Sequence, residues 1–350
     1  MGEVEQDLNM QNYDPSGIGL LNGNLYGLPF DYDSAQLIVF AVPWEVTVSY
    51  GAGTARGPHQ ILEASPQLDL FDLDYPDGWK QGIFFAGVPA EILEKNDDYR
   101  TQAARIIERL EQGRSLTESP DLTPILTDIN QACGKVNSWL QEQCEQAIAA
   151  GKRVAVVGGD HSSPLGYLQA LANHHDSFGI LHIDAHADLR DAYEGFEFSH
   201  ASIMFNALKI PQMTQLVQVG LRDICLDEVN LINGSQGRVT AYYDSTLRQA
   251  QYEGRTWVDL CREMVSHLPQ QVYISFDVDG LDPKLCPHTG TPVPGGLELE
   301  QAYCLFREVI KSDRQIIGFD LCEVGNAEWD GNVGARILYK LANLMALSRS

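Results

Sequence analysis

Six short runs of β-branched and aromatic residues, apolar at nearly every position, alternate along this chain with longer helical patterns. The runs cover residues 36–42 (QLIVFAV), 153–157 (RVAVV), 178–183 (FGILHI), 215–219 (QLVQV), 271–276 (QVYISF) and 315–319 (QIIGF). Helical periodicity covers 99–112, 130–150 and 298–311, with further helices over 164–173 and 333–347. A strand that is apolar on both faces needs cover on both sides. The alternation therefore predicts an α/β fold of three αβα layers, a mainly parallel sheet with helices on each face. Residues 1–34 are rich in Gly, Asn, Asp and Tyr and read as an irregular N-terminal extension; 35–350 read as one domain, with 116–127 as a surface excursion.

Composition closes off several classes of partner. Forty-eight Asp and Glu against twenty-four Lys and Arg give a formal charge of −24, which repels nucleic acid phosphates and anionic membrane surfaces. Seven scattered cysteines without a CxxC pair argue against a disulfide framework and for reduced thiols. The acidic N-terminus carries no secretory pattern, and no apolar run approaches the roughly 18 residues of a membrane span. A soluble cytoplasmic protein is the expectation.

In open α/β sheets, function gathers at the carboxyl ends of the strands. Three polar clusters follow strands directly here: GGDHS at 158–162, DAHAD at 184–188 and DVDGLD at 277–282. If the chain stays extended, Asp184, His186 and Asp188 point to one side, as do Asp277 and Asp279. His161 ends a third strand after the Gly158-Gly159 turn. A DxD or a His after two glycines is weak alone, since a solvated turn explains either. Three ligand-type residues at period two on an apolar strand have no packing rationale. Converging four carboxylates without cations would be prohibitively unfavourable, so two divalent ions are implied. Oxygen and imidazole donors without thiolate suit Mn²⁺, with Ni²⁺, Co²⁺ or Zn²⁺ also admitted. Two ions about 3.5–4 Å apart activate a bridging water to hydroxide, the nucleophile of a hydrolase.

On these residues the sequence resembles the ureohydrolase superfamily, the arginase and agmatinase group, which hydrolyses guanidino compounds to urea and an amine. The resemblance runs from about residue 36 to the C-terminus and is carried by 157–162 (VGGDHS), 184–188 and 275–283 (SFDVDGLDP). Residues 290–296 (GTPVPGG) match a further family loop, and 49–58 (SYGAGTARGP) resemble the family's glycine-rich segment in altered order. The resemblance implies one metal on His161, Asp184, Asp188 and Asp277, and another on Asp184, His186, Asp277 and Asp279. It further implies that Asp188 orients the hydroxide, that His200 shuttles a proton to the departing amine, and that Glu323 binds the guanidinium. Trimers or hexamers are the implied assembly.

The substrate tail is read by the loop at 189–199. Arginases carry Asn two positions after the last aspartate of DAHxD; this chain has Arg190, which disfavours arginine. The loop length and its EFSH ending resemble agmatinases, so a small cationic guanidino substrate, agmatine first, is expected. Guanidine, guanidinobutyrate and arginine are the alternatives, and formiminoglutamate ranks lower because those enzymes usually lack a histidine at the His200 position. Tyr193, Phe196 and Phe198 either bound the pocket or pack the loop. After Glu323 the family's usual Asn-Pro is replaced by 325–330 (GNAEWD), where Trp329 is a further candidate contact. A metal-binding regulatory protein without activity would be expected to lack a ligand or the shuttle, and here each is present.

Overall fold

The computed structural model describes residues 13–348. Eight strands, β1 (Leu37–Val42), β2 (Ile83–Phe85), β3 (Arg153–Gly158), β4 (Phe178–Ile183), β5 (Met213–Leu221), β6 (Val239–Tyr243), β7 (Gln271–Asp277) and β8 (Gln315–Cys322), form one sheet. Their order is β2-β1-β3-β8-β7-β4-β5-β6, and every pairing is parallel. β1, β3 and β4 are buried at all positions, as strands covered on both faces must be. The flanking helices are α1 (Gly57–Ala64), α2 (Ala90–Glu111), α3 (Thr123–Ala149), α4 (Leu165–His174), α5 (Ile203–Ala207), α6 (Leu226–Gly234), α7 (Asp244–Tyr252), α8 (Trp257–Ser266), α9 (Leu299–Lys311) and α10 (Glu328–Leu347). This is the three-layer α/β arrangement expected from the strand and helix alternation. Among the described residues, no helix is long and apolar enough to cross a membrane.

Both strands absent from the sequence reading lie at the sheet's edges. β2 has three residues, and β6 (VTAYY) is half-exposed over most of its length, so neither carries the doubly buried pattern of the centre. The segment at 116–127 differs from the expected surface excursion: α3 begins at Thr123, with Pro124 in its first turn. Pro lacks an N–H that this turn could not have used, so it starts a helix as readily as it ends one. Leu116 and Leu126 pack under Gly195, and the Asn130 side chain donates to Gly195 O at 3.1 Å and accepts from Glu197 N at 2.9 Å. The region therefore supports the 189–199 loop.

Of residues 1–34, 1–12 lie outside the described part. The remainder has a single short 3-10 turn, Leu25–Gly27, and is tied to the body. Asn24 Nδ2 donates to Ile83 O at 2.9 Å, its Oδ1 accepts from Phe85 N at 2.8 Å, and Tyr26 OH donates to Ala335 O at 2.9 Å.

The register of the central strands sets the level of the site. Val157 pairs with Leu321, Leu321 with Phe276, and Phe276 with Ile183. The next residue along each chain therefore lies at the carboxyl edge: Gly158, Cys322, Asp277 and Asp184. The chain leaves β3 and returns as β4 with β7 and β8 between them. Their loops consequently part there and open a crevice, the position at which doubly wound sheets bind ligands.

Candidate metal centre and substrate cavity

The ligand-type residues meet in this crevice, though not by simple extension of strands. After β4 the backbone bends at Ala185 and His186, and Asp188 is left-handed at φ 53°. Asp184 Oδ1 accepts from His186 N at 2.6 Å, and Asp279 Oδ1 accepts from Ala185 N at 3.0 Å. These bonds curl the segment around the crevice in place of a straight period-two continuation. Arg222 holds the opposite wall, its Nη2 donating to the carbonyls of Asp279, Leu281 and Val293.

His161 Nδ1 faces three carboxylate oxygens at once: Asp184 Oδ2 at 3.0 Å, Asp188 Oδ2 at 3.2 Å and Asp277 Oδ2 at 3.2 Å. A ring nitrogen has one proton or one lone pair to offer, so three acceptors around it mark the place of a cation. A second group lies beside the first, with His186 Nδ1 3.0 Å from Asp279 Oδ2 and 3.4 Å from Asp184 Oδ1. Asp184 thus presents one oxygen to each group, as a bridging carboxylate would. Asp277 directs Oδ2 to the His161 group, while its Oδ1 accepts from Asp279 N at 2.8 Å.

The electrostatics agree with that reading. Burial, then the charge of Asp184, pushes the Asp188 carboxyl up to about 7, and burial with the charges of Asp279 and Asp184 raises Asp277 well above the carboxylate range. Burial disfavours charge on His186, but Asp279 and Asp184 overcome it and raise the imidazole to about 12. Side chains in conflict over protons in this way fit a pair of divalent cations, which would neutralise the carboxylates and free both imidazoles for coordination.

Above this cluster is a cavity of about 160 Å³, lined by His161, His186, Asp188, Arg190, Tyr193, His200, Asp277 and Glu323 among others. Glu323, just beyond β8, is left-handed at φ 63° and buried. Its Oε1 accepts from His161 N at 3.0 Å, and its Oε2 has no hydrogen-bond partner. Burial, then the charge of Asp277, raises its carboxyl well above the usual range. His200 opens a 3-10 turn whose N-cap Ser199 accepts from Ala201 N. Burial, then the positive charge of His186, depresses the His200 imidazole to about 3 and keeps it neutral. Arg190 stacks over Tyr193 at 4.6 Å, and Tyr193 meets His200 edge-on at 6.2 Å between ring centroids.

Two of the expected tail residues lie elsewhere. Phe196 is fully buried in the hydrophobic core, and Trp329 is 54% exposed with Nε1 donating to Lys284 O at 3.2 Å. Phe198 packs against the core as well. Residues not anticipated from the sequence also line the cavity: Ser49, Asp223, Ile224, Glu228 and Thr291. Ser49, Asp223, Ile224 and Thr291 come from loops, where no periodicity singles them out, and Glu228 from the first turn of α6. Beneath the cluster, His182 Nε2 lies 2.8 Å from Asp184 Oδ2. Its signal was present, two positions before Asp184 on a strand of period two.

Comparison with known proteins accords with this geometry. The profile described as "Arginase family" matches residues 35–345. An N(1)-aminopropylagmatine ureohydrolase of Thermus thermophilus is 29% identical over 318 residues, covering 90% of this chain and 92% of that protein. An agmatinase of Cronobacter sakazakii is 30% identical over 332 residues, covering 93% and 91%. Among solved structures, the proclavaminate amidino hydrolase of Streptomyces clavuligerus superposes with a TM-score of 0.71 at 21% identity, over 95% of this chain and 100% of that one.

Proposed function

This chain belongs to the arginase family and is a hydrolase of C–N bonds in linear amidines, and on that premise we propose that its substrate is agmatine, cleaved to urea and putrescine. The observation that carries the guanidinium reading is Glu323 Oε2, a buried carboxylate oxygen without a partner on the wall of the metal-site cavity. A guanidinium supplies paired N–H donors in a plane and the positive charge that this oxygen lacks. At the cavity lining, the Asp223 side chain is 71% exposed and offers an acid to a distal ammonium.

Two divalent ions, when bound, would act as Lewis acids and lower the pKa of a shared water. His161, Asp184, Asp188 and Asp277 would hold one, and His186 and Asp279, with Asp184 and Asp277 shared, the other. Mn²⁺ is the proposed metal, since hard carboxylate oxygens dominate the donor set; Ni²⁺ and Co²⁺ are the alternatives. Glu323 holds the guanidinium so that its carbon faces the cluster. Asp188, on the cavity side of the cluster, accepts a hydrogen bond from the attacking water and sets its direction. His200 would take the proton that the attacking water gives up and pass it to the nitrogen of the departing amine as the C–N bond breaks. Arg190 and Tyr193 narrow the cavity and keep bulk water from the reacting carbon. A trimeric or hexameric assembly, read by light scattering, belongs to the same proposal.

Arg190 favours a second reading. Its guanidinium, stacked on Tyr193, lies at the cavity lining and offers a positive charge there. An ω-guanidino acid would place its carboxylate there. The deciding experiment measures urea and ammonia release from agmatine, N1-aminopropylagmatine, guanidine, 4-guanidinobutyrate, arginine and formiminoglutamate, with Mn²⁺, Ni²⁺ and Co²⁺ in turn. Agmatine with the highest kcat/KM supports the proposal, and guanidinobutyrate ahead of it replaces that reading with the second. No release from any guanidino compound would sink both.

A further inference from the structure

His182 is fully buried on β4, and its ring nitrogens have different partners. Nε2 lies 2.8 Å from Asp184 Oδ2, while Nδ1 lies 2.9 Å from Gln218 Nε2 on the neighbouring strand β5. Gln218 Nε2 also donates to Ala187 O at 2.7 Å. The Ala187 carbonyl can only accept, and turning the amide over would set Gln218 Oε1 against it. Gln218 is thereby fixed with its nitrogen towards both partners. Its second N–H points at His182 Nδ1, which must carry a lone pair. The proton of the neutral ring then sits on Nε2 and is donated to Asp184.

His182 shares a compact group with His161, Asp184 and Asp188, whose ligand atoms all lie within 4.8 Å of one another. Direct coordination by His182 would need a lone pair on Nε2, and the Gln218 bond takes that option away. His161 has the opposite arrangement: its Nδ1 faces the carboxylates, and Nε2 is 2.9 Å from Ser275 Oγ. One imidazole is presented as a ligand and the other as a donor.

We infer that His182 is a positioning residue for the metal centre, an Nε2–H donor that orients the shared carboxylate Asp184, with Gln218 setting its tautomer. The inference rests on the reading of Asp184 as a metal ligand. Oδ1 of Asp184 is held by the His186 backbone N–H and Oδ2 by His182, so both oxygens are set before any ion arrives. A hydrogen bond of this kind raises affinity by removing the freedom of the ligand to turn.

The test titrates metal-depleted wild type, His182→Leu, His182→Gln and Gln218→Met with Mn²⁺, reading affinity, stoichiometry at saturation and Tm, then KM and kcat of the loaded forms. Loss of the second-sphere donor in His182→Leu should weaken Mn²⁺ binding about 10–100-fold, with wild-type stoichiometry at saturation and KM unchanged. His182→Gln, whose amide N–H reaches the Nε2 position, should stay within about threefold of wild type, on the same scale. Gln218→Met leaves the ring in place but frees its tautomer, and should weaken binding less than His182→Leu. Three outcomes overturn the inference: one Mn²⁺ per chain lost at saturation in both His182 variants, a lowered Tm with unchanged affinity, or wild-type affinity in Gln218→Met. Failure of the metal-centre reading itself would appear as no Mn²⁺ binding by the wild type.

Discussion

The backbone N–H of His161 donates to Glu323 Oε1 at 3.0 Å, joining the turn after β3 to the end of β8. A second bond runs the other way, from Glu323 N to Gly159 O at 2.8 Å. One carboxylate therefore anchors the His161 turn with one oxygen and offers the other to the cavity. Glu323→Gln keeps an acceptor for His161 N–H and turns an amide N–H₂ towards the substrate, donor against donor. Charge-assisted hydrogen bonds contribute about 1.5–3 kcal/mol each, so kcat/KM should fall roughly 100-fold or more. Metal content should match the wild type. An unchanged kcat/KM would remove Glu323 from guanidinium binding.

Asp277 places Oδ2 within 3.2 Å of His161 Nδ1 and uses Oδ1 to hold Asp279 N, so one side chain serves both parts of the cluster. Asp277→Ala should abolish turnover and bound metal together. Metal analysis beside the urea assay checks this. Full metal content with lost activity would mean that Asp277 acts on the substrate instead.

Metal binding should be tied to proton release. In the metal-free chain the His186 imidazole is raised to about 12 by Asp279 and Asp184 against the effect of burial, and the Asp188 carboxyl is raised to about 7 by burial and Asp184. Both groups hold protons that the loaded site cannot keep, so raising the pH favours the metal. Affinity for Mn²⁺ should climb with pH by as much as tenfold per unit for each proton displaced, with both protons counting below about pH 7 and only that of His186 above it. Calorimetric titrations at about pH 6.5 and about pH 8.5, in buffers of differing protonation enthalpy, count the protons. An affinity flat across that window would contradict the assigned proton positions.

The centre of the sheet was legible in the sequence because its residues obey one rule. β3, β4, β7 and β8 are apolar on both faces and end in ligand-type side chains, so both strand and site stand out. The edges escape that rule, as Thr240, Tyr242 and Tyr243 in β6 are only half-buried. At the site, residues in short sequence clusters were visible, whereas Asp223 and Thr291 on loops and Glu228 in the first turn of α6 are brought together only by the closed fold. Phe196 shows the converse limit. It lies in the substrate loop by sequence, yet Gly195 at φ 88° turns the chain so that the ring enters the core. Periodicity says nothing about a loop that contains left-handed residues at Ala192, Glu194 and Gly195.

Gly159 tests whether the backbone between β3 and His161 sets the metal site. A Cβ at this position would lie 2.2 Å from Trp44 O and 2.8 Å from Trp44 N and C, all backbone atoms that cannot swing aside. The same carbonyl accepts Asp160 N at 2.8 Å, and Gly159 N donates to Val42 O at 2.7 Å, so any shift breaks bonds that aim His161. Gly159→Ala should cost about 3 kcal/mol, the upper range for overpacking, and lower Tm by several degrees. It should also weaken Mn²⁺ binding although no ligand has changed. Gly134→Ala is the control: this residue lies within α3, its added methyl would meet only Phe198 at 3.7 Å, and Ala is the better helix former by roughly 1 kcal/mol. Gly134→Ala should keep or raise Tm and leave metal binding alone. Equal behaviour of the two variants would show that the close approach of Gly159 to Trp44 does not govern where His161 sits.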